Sequence, residues 1–166
     1  MTALQKIQSK IYSRQTLQSQ LNAWGLQQKK IVFTNGCFDI LHLGHIDYLS
    51  KAADLGDILI VGVNSDASVS ELKGKHRPIN NEQSRTTLIA ALSFVNAVII
   101  FNESTPYNLI KSVQPDVLVK GSDYLPETII GYDIVISKGG TIKTIDLIPG
   151  YSTSLIEKKI ITSQNQ

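Results

Sequence analysis

The feature that most constrains this chain is the segment TNGCFDILHLGH at residues 34–45, in which a glycine turn follows an apolar run and two histidines follow the turn. Residues 31–33 have the composition of a short buried strand, and apolar residues at helical spacing begin at Leu43. The segment therefore predicts a strand, a turn and a helix. His42 and His45 fall on one face of the first helical turn, because residues three apart on a helix are neighbours.

The start of that helix suits a phosphate group. Its first N–H groups lack intrahelical acceptors and carry the positive end of the helix dipole, and Gly44 puts no side chain in the way of an anion. A lone histidine is more often structural, but the HxGH spacing after a strand and a glycine turn indicates phosphate chemistry. The sequence contains no P-loop, dinucleotide-binding or HExxH zinc pattern.

Net charge and cysteine content exclude several kinds of binding site and partner. The 166 residues carry a net charge of only +2, with both signs spread along the chain, which argues against a nucleic-acid or membrane surface. The single cysteine, Cys37, excludes an internal disulfide and any cysteine-based metal cluster, and it is compatible with a reducing cytoplasm. No signal peptide and no apolar run of membrane-spanning length is found, so a cytoplasmic location is expected.

Strands and helices are predicted to alternate along the rest of the chain. The predicted strands are residues 31–33, 58–63, 97–101, 116–119 and 141–145, and the predicted helices between and after them are 43–55, 67–72, 81–93, 106–113 and 152–161. This order predicts an α/β fold with a doubly wound, parallel, five-stranded sheet. The predicted divisions are an N-terminal helical extension at 1–28, the main domain at 29–161 and a polar, frayed tail at 162–166.

Polar and glycine-rich residues follow the predicted strands at 34–39, 64–66, 120–123 and 150–154. In a doubly wound sheet the ligand binds beyond the carboxyl ends of the strands, so these segments are expected to meet there. The hydroxyls of Ser152, Thr153 and Ser154 are either helix caps or, with the N–H groups beside them, a second grip on a triphosphate.

Other charged residues are open to two interpretations. The basic loop with Lys73, Lys75 and Arg77 is either a solvated surface or a mobile lid over phosphates, and Arg85 on the next helix is a similar candidate. Asp39 and Asp123 either cap a turn or help to position Mg²⁺ among the phosphates.

Several motifs together resemble a known family. GCFD at 36–39, HLGH at 42–45 and YSTS at 151–154 resemble the HxGH nucleotidyltransferases of the cytidylyltransferase type. Within that group, TNGCFDILHLGH, RPIN, DVLVKGSDY and GYSTSLIEKKI look most like the D-glycero-β-D-manno-heptose 1-phosphate adenylyltransferases, also called ADP-heptose synthases. The resemblance spans residues 30–160.

The resemblance implies a Rossmann-like fold and the transfer of AMP from ATP to a heptose 1-phosphate, with release of pyrophosphate, for the lipopolysaccharide core. It also implies a homodimer, with the leading helices or residues 95–101 as possible interfaces, and Mg²⁺ held by the ATP phosphates near Asp39 rather than by a dedicated protein site. Many relatives carry a sugar-kinase domain ahead of this one. With residues 1–28 before the first strand, the single-function form is expected.

Residue roles follow from the matched positions. His42, His45, Lys73 and Arg85 are implied to act on the phosphates during catalysis. The residues implied to bind the nucleotide or sugar are Thr34, Asn35, Gly36, Phe38, Asp39, Gly44, Asn64, Lys120, Gly121, Asp123, Tyr151, Ser152, Thr153 and Ser154.

Three positions depart from the family pattern. Ser122 replaces a common glycine and is expected to narrow the pocket, whereas Ser154 replaces a threonine and keeps the hydroxyl. The usual acidic partner two residues before Arg85 is replaced by Gln83, so that partner is either missing or moved to Glu82.

Two other functions are compatible with the sequence. One is a CTP-dependent cytidylyltransferase acting on glycerol 3-phosphate or another phosphorylated alcohol. The other is a non-catalytic nucleotide-binding module, against which the intact pair His42 and His45 argues. The choice of ATP over CTP comes from the resemblance alone.

Overall fold

A parallel sheet with helices on both faces organises the computed structural model, which describes residues 1–163. The strands are β1 Ile11–Tyr12, β2 Ile31–Gly36, β3 Ile58–Asn64, β4 Ala97–Phe101, β5 Val117–Gly121 and β6 Thr141–Ile145. The helices are α1 Ala3–Gln8, α2 Arg14–Leu26, α3 Leu43–Ala53, α4 Asp66–Lys73, α5 Glu82–Ala91, α6 Tyr107–Val113, α7 Tyr132–Ser137 and α8 Thr153–Ser163, with a 3-10 turn at Pro126–Thr128.

The strand order is β1-β4-β3-β2-β5-β6, and every neighbouring pair is parallel. From β2 the chain first builds the sheet outward through β3 and β4, and then returns to add β5 and β6 on the other side of β2. The crevice between the ends of β2 and β5 is therefore the topological switch point, where ligands of such sheets bind.

Alternate residues of the central strands supply two separate cores. On β3, Ile58 and Ile60 join the cluster on one face of the sheet, whereas Leu59, Val61 and Val63 join the cluster on the other. A strand buried on both faces reads as a continuous apolar run because neither face meets water. The helices that cover both faces hold the sheet ends, and the polar loops beyond them, in fixed positions.

The predicted doubly wound parallel sheet is confirmed, with six strands instead of five. The additional strand β1 lies inside the extension that was predicted to be helical, where Ile11 and Tyr12 pair with Val98 and Ile99 of β4. A strand of two residues is too short to show a period in the sequence. Because β1 and β3 flank β4, residues 95–101 are interior, and the suggestion that they form a dimer interface is wrong.

Two further differences concern the last third of the chain. The segment before β6, which was predicted to be irregular, contains α7, whose Ile134 and Val135 are buried. Helix α8 continues to Ser163, so the predicted frayed tail is wrong at 162–163, and its residues 164–166 lie outside the described part of the chain. No helix within residues 1–163 combines the length and the apolar character needed to cross a bilayer.

Thr34 joins β2 to α3 and β5. Its hydroxyl lies 2.7 Å from the Tyr48 hydroxyl and donates to the backbone oxygen of Val119 at 3.0 Å, and the residue is fully buried. Burial raises the pKa of Tyr48, which therefore stays protonated in the core. Contrary to the prediction, Thr34 supports the site from inside the fold and has no surface to offer a nucleotide.

We expect Thr34→Val to lower the free energy of unfolding by about 1–3 kcal/mol, because it removes a buried hydrogen bond and leaves the Tyr48 hydroxyl unpaired. Urea denaturation measures the change. Thr141→Val, at an exposed position of β6, is the matched control and should change stability by less than about 0.5 kcal/mol. Equal stability of the Thr34 variant and the parent protein would contradict a structural role for this hydroxyl.

Candidate active site

A cavity of about 410 Å³ opens at the carboxyl ends of β2 and β5, where the switch point predicts a ligand. The sequence-predicted residues that line it are Asn35, Gly36, Phe38, Asp39, His42, Gly44, His45, Lys73, Lys120, Gly121, Asp123, Tyr151, Ser152, Thr153 and Ser154. Sequence reasoning missed Cys37, Tyr48, Tyr124, Leu147 and Ile148, which complete the lining. Of these, Cys37 and Tyr124 had the clearest signal, since Cys37 lies inside the GCFD motif and Tyr124 ends the DVLVKGSDY motif.

A larger cavity of about 540 Å³ lies at the opposite edge of the sheet, beside Lys30 and Ile31 at the start of β2. Asp116 there accepts a hydrogen bond from the Ile31 N–H at 2.7 Å and pairs with Lys138 at 3.1 Å. These contacts join the strand ends, and the amino ends of parallel strands are not where such folds bind ligands.

The two histidines form a stacked pair at the start of α3. The ring centroids of His42 and His45 are 3.7 Å apart, with an interplanar angle of 19°. Gly44 makes this possible, because a Cβ at that position would lie 3.1 Å from the His42 ring and 3.2 Å from the Cβ of Tyr151. The missing side chain thus makes room for protein atoms as well as for an anion.

Phe38 supports the stack from the side. Its ring makes an edge contact with His45, with centroids 5.3 Å apart, and a Cβ at Gly36 would lie 3.0 Å from it. Phe38 has a φ of 48°, in the left-handed region that bulky residues rarely adopt. A strained backbone next to a cavity is characteristic of functional loops, and here it turns an aromatic ring against the imidazoles.

The surroundings keep both imidazoles neutral. Burial, followed by the neighbouring His42 and Lys73 charges, lowers the pKa of His45 to about 4, and a backbone interaction with Ile40 only partly opposes this. Burial also lowers the pKa of His42. Both Nδ1 atoms are buried, and neither has a hydrogen-bond partner of good geometry among residues 1–163. A polyanion bound next to the rings would supply negative charge, which favours the protonated form of an imidazole.

Lys120 and Asn35 bridge the switch point from β5 to β2. The Lys120 Nζ donates to the Asn35 Oδ1 at 2.5 Å and lies 5.9 Å from the centre of the Tyr124 ring. Burial lowers the pKa of Lys120 to about 8, although the Asp123 carboxylate favours its charged form. Lys120 is thus a cation held in one position on the cavity wall.

Asp39 anchors the basic loop that follows α4. Its carboxylate is 2% exposed and accepts hydrogen bonds from the N–H groups of Ile79 and Asn80 and from Arg77 Nη1, all at 2.8–3.0 Å. Burial alone would raise the pKa of Asp39, but these donors lower it. Both oxygens already accept hydrogen bonds from protein donors, and a Mg²⁺ ion held by nucleotide phosphates near Asp39 stays a prediction.

Arg77 extends this anchor to the last helix. Its Nη2 lies 2.5 Å from Glu157 on α8 while its Nη1 lies 2.8 Å from Asp39, and its side chain is 12% exposed. Of the three basic residues predicted to form a mobile lid, Arg77 is thus fixed. Lys73 and Lys75 are exposed, and Lys73 lines the cavity.

Arg85 lies behind the site and does not face the phosphates as predicted. It is fully buried and donates to the backbone oxygens of Asn80 at 3.0 Å and Cys37 at 2.6 Å, and to Asp66 at 2.9 Å. Asp66, rather than Glu82, is its acidic partner. The guanidinium holds the loop after β2 in shape, so Arg85 acts as a positioning residue.

The start of α8 closes the other side of the cavity. Ser152 accepts the N–H of Leu155 at 3.1 Å, which confirms the cap interpretation for that hydroxyl. Thr153 and Ser154 line the cavity beside it. Residues 152–154 thus lie where a second contact with a polyanion is possible, as the sequence suggested.

Two other predicted residues lie elsewhere. The Asn64 amide is 4% exposed, donates to Ser68 at 2.9 Å and faces a neighbouring cavity. Ser122 is exposed, donates its backbone N–H to Ile145 at 3.0 Å and lines neither cavity, so the expected narrowing of the pocket is wrong.

The described residues contain no group of three or more His, Cys, Asp or Glu side chains placed to hold a metal ion. With the Asp39 carboxylate also committed, the donors present do not fit a resident magnesium site. A Mg²⁺ ion would enter with a nucleotide, bound to its phosphate oxygens.

We expect His45 to titrate near pH 4 in the free protein, below the ordinary value of 6.5. Because folding lowers this pKa, the free energy of unfolding should fall as the pH drops from about 6.5 to 4. Inorganic triphosphate should raise the pKa, because an anion favours the imidazolium form. Histidine NMR titration with and without triphosphate measures both effects, and a midpoint near 6.5 that triphosphate does not move would contradict this picture.

We expect Arg77→Ala to lower the free energy of unfolding by about 3 kcal/mol, because it leaves the buried Asp39 carboxylate without its cation. Amide hydrogen exchange in α8 should also become faster, since Glu157 loses its partner. Arg14→Ala is the control, because Arg14 pairs with Glu103 at the surface, and it should cost less than about 1 kcal/mol. Equal effects of the two substitutions would show that the Arg77 contacts do not hold the site together.

Comparison with known proteins agrees with this geometry. Residues 33–158 match the family described as cytidylyltransferase-like. The bifunctional protein HldE of Syntrophotalea carbinolica is 49% identical over 158 residues, which cover 95% of this chain and 32% of that protein. HldE of Wolinella succinogenes is 50% identical over 153 residues, covering 92% of this chain and 31% of the relative. The chain thus spans about a third of the length of these curated relatives.

Two solved structures share the fold. The lipopolysaccharide core biosynthesis protein of Thermoplasma volcanium is 34% identical, with a TM-score of 0.58, and the match covers 72% of this chain and 97% of that one. The pantoate-beta-alanine ligase of Francisella tularensis, 18% identical with a TM-score of 0.62 over 94% of this chain and 79% of its own, supports the fold alone. Since the family match covers most of the sequence and includes the stacked histidines, the chain belongs to the cytidylyltransferase-like family.

Proposed function

We propose that this chain transfers AMP from ATP to D-glycero-β-D-manno-heptose 1-phosphate, giving ADP-heptose and pyrophosphate for the lipopolysaccharide core. The observation that carries the proposal is the stacked, neutral pair His42 and His45 in a cavity that Lys73 and Lys120 also line. The motif resemblance and the HldE relatives at about 50% identity support the choice of substrates. The likeness to the lipopolysaccharide core biosynthesis protein of Thermoplasma volcanium is consistent with a role in that process.

The reaction needs no nucleophilic side chain. An oxygen of the sugar phosphate attacks the α-phosphorus of ATP in line, and pyrophosphate leaves from the opposite side. The protein contributes alignment and charge stabilisation. The imidazoles donate N–H groups to phosphate oxygens as negative charge develops, while the two lysines neutralise the triphosphate and the acceptor phosphate.

The residues behind the cavity keep these groups in position. Arg85 fixes the loop after β2, and Arg77 ties that loop to α8 through Asp39 and Glu157. Mg²⁺ belongs to this proposal as part of the Mg·ATP substrate. The homodimer also stays a prediction, and the buried position of β4 leaves the leading helices as its proposed interface.

We expect His45→Ala to keep the fold and to lower kcat by about 10²-fold, because one donor to a phosphate oxygen typically contributes on the order of 3 kcal/mol to transition-state stabilisation. Pyrophosphate release from ATP and heptose 1-phosphate measures the loss. Lys51→Ala, which breaks an exposed pair with Asp47 on the same helix, is the control and should keep the parent rate.

The same assay separates the alternatives when CTP and glycerol 3-phosphate are included. Faster turnover with CTP and a phosphorylated alcohol would replace the proposed substrates. No turnover with any pair would favour a non-catalytic nucleotide-binding module. Full activity of His45→Ala would reject the role assigned to the histidine pair.

A further inference from the structure

Lys120 lies in a wall between two cavities at the carboxyl edge of the sheet. One is the cavity that holds His42 and His45, and the other, of about 440 Å³, adjoins it. Lys120 lines both cavities, together with Lys73 and the end of β2. Its amine is therefore open to a small molecule from either side, although the residue is only partly exposed.

The two cavities differ in the groups that they offer. On the histidine side, both imidazole Nδ1 atoms lack hydrogen-bond partners within residues 1–163, and Lys73 adds a cation. Beyond the shared wall, hydroxyl groups line the second cavity together with the apolar side chains of Leu72, Pro106, Ile129 and Ile130. None of the described residues that line this second cavity is acidic. A ligand that spans the wall therefore has an anionic end toward the histidines and a mainly apolar end toward α4 and the 3-10 turn.

The Lys120 amine is held in one position between the two cavities. Its Nζ donates to the Asn35 Oδ1 at 2.5 Å and lies 5.9 Å from the centre of the Tyr124 ring. Burial lowers the pKa of Lys120 to about 8, although Asp123 and Cys37 favour the charged form. An ordinary lysine, with a pKa of about 10.4, is almost entirely protonated at neutral pH, whereas this amine has a substantial neutral fraction with a free electron pair. Desolvation of this kind activates a lysine as a nucleophile.

We propose that Lys120 is a modification site at which small acyl phosphates acylate the chain. The phosphate of the reagent contacts the imidazoles and Lys73, and the acyl group extends toward Leu72 and Ile130. In an acyl phosphate the reactive carbonyl carbon joins these two ends, so it meets the amine in the wall. The modification is a reaction of the protein itself and requires no turnover of a substrate.

The acylation needs no reactant besides the acyl phosphate. The neutral amine attacks the carbonyl carbon and forms an amide bond, and the bond from that carbon to the phosphate oxygen breaks. The electron pair leaves on inorganic phosphate, which also takes the proton that the nitrogen loses. Because the amide carries no charge, acylation removes one of the cations of the shared wall. The modification thus lowers the affinity of the site for phosphate groups, including those of the proposed substrates.

The test treats the full chain with acetyl phosphate and follows each lysine by peptide mass spectrometry. Lys120 should be acetylated about tenfold faster than Lys143, an exposed lysine on β6, because more of the Lys120 amine is neutral. The rate at Lys120 should rise with pH and level off above about pH 8, where the amine is deprotonated. With an acetyl thioester that has no phosphate, the ratio of the two rates should fall by about threefold, because the anionic end is missing.

The length of the acyl chain tests the second cavity. Butyryl phosphate should acylate Lys120 about fivefold faster than acetyl phosphate does, because its additional methylene groups leave water, and should show no such gain at Lys143. Ile130→Ser should reduce the gain. Ile136→Ser is the matched control, since Ile136 is similarly exposed and lines neither cavity.

Acetylation of Lys120 that is no faster than that of Lys143, or a rate ratio that the thioester leaves unchanged, would overturn the modification site. Equal rates at Lys120 with acetyl and butyryl phosphate would also overturn it, because the acyl chain would then not enter the second cavity. The expected pattern in a protein that shows no turnover with any substrate pair would reject the proposed function and support the modification site. Turnover with heptose 1-phosphate and no preference for Lys120 would do the reverse.

Discussion

Two imidazole rings stacked 3.7 Å apart cannot both be protonated in the free protein without strong repulsion, and the rest of the site is built around that constraint. Burial and the nearby Lys73 lower the pKa of His45 further, so the pair is neutral in the free protein at neutral pH. In the proposed reaction a triphosphate would oppose this effect, because negative charge beside the rings favours their protonated form. In the free protein the site therefore has little affinity for protons.

Arg85, Asp39 and Arg77 lie behind the histidine rings and are largely buried because each one holds a loop of the site in place. Arg85 reaches the backbone of the loop after β2, and Asp39 collects donors from the loop after α4. Arg77 then joins Asp39 to Glu157 on α8. Loops that are separate in sequence thus become one rigid rim around the cavity. Rigid placement of donors is what electrostatic stabilisation of a transition state requires.

Sequence patterns sufficed for the sheet and for most of the cavity lining, because continuous apolar runs and glycine turns have few alternative structures. They failed for β1, which is too short to show a period, and for α7, whose start at Gly131 has a left-handed φ of 91° and no side-chain cap. They also failed for the direction of side chains. Arg85 was predicted to face the ligand, but Asp66, a partner distant in sequence, holds it behind the site.

The central claim is that both imidazoles contact the phosphates of a nucleotide at the junction of β2 and β5. The most direct measurement is a crystal structure of the protein with a non-hydrolysable ATP analogue and Mg²⁺. We expect ring nitrogens of His42 and His45 within hydrogen-bond distance of phosphate oxygens, with the last helix start beside the same triphosphate. A nucleotide bound elsewhere, or phosphates that leave both rings without contact, would contradict the account.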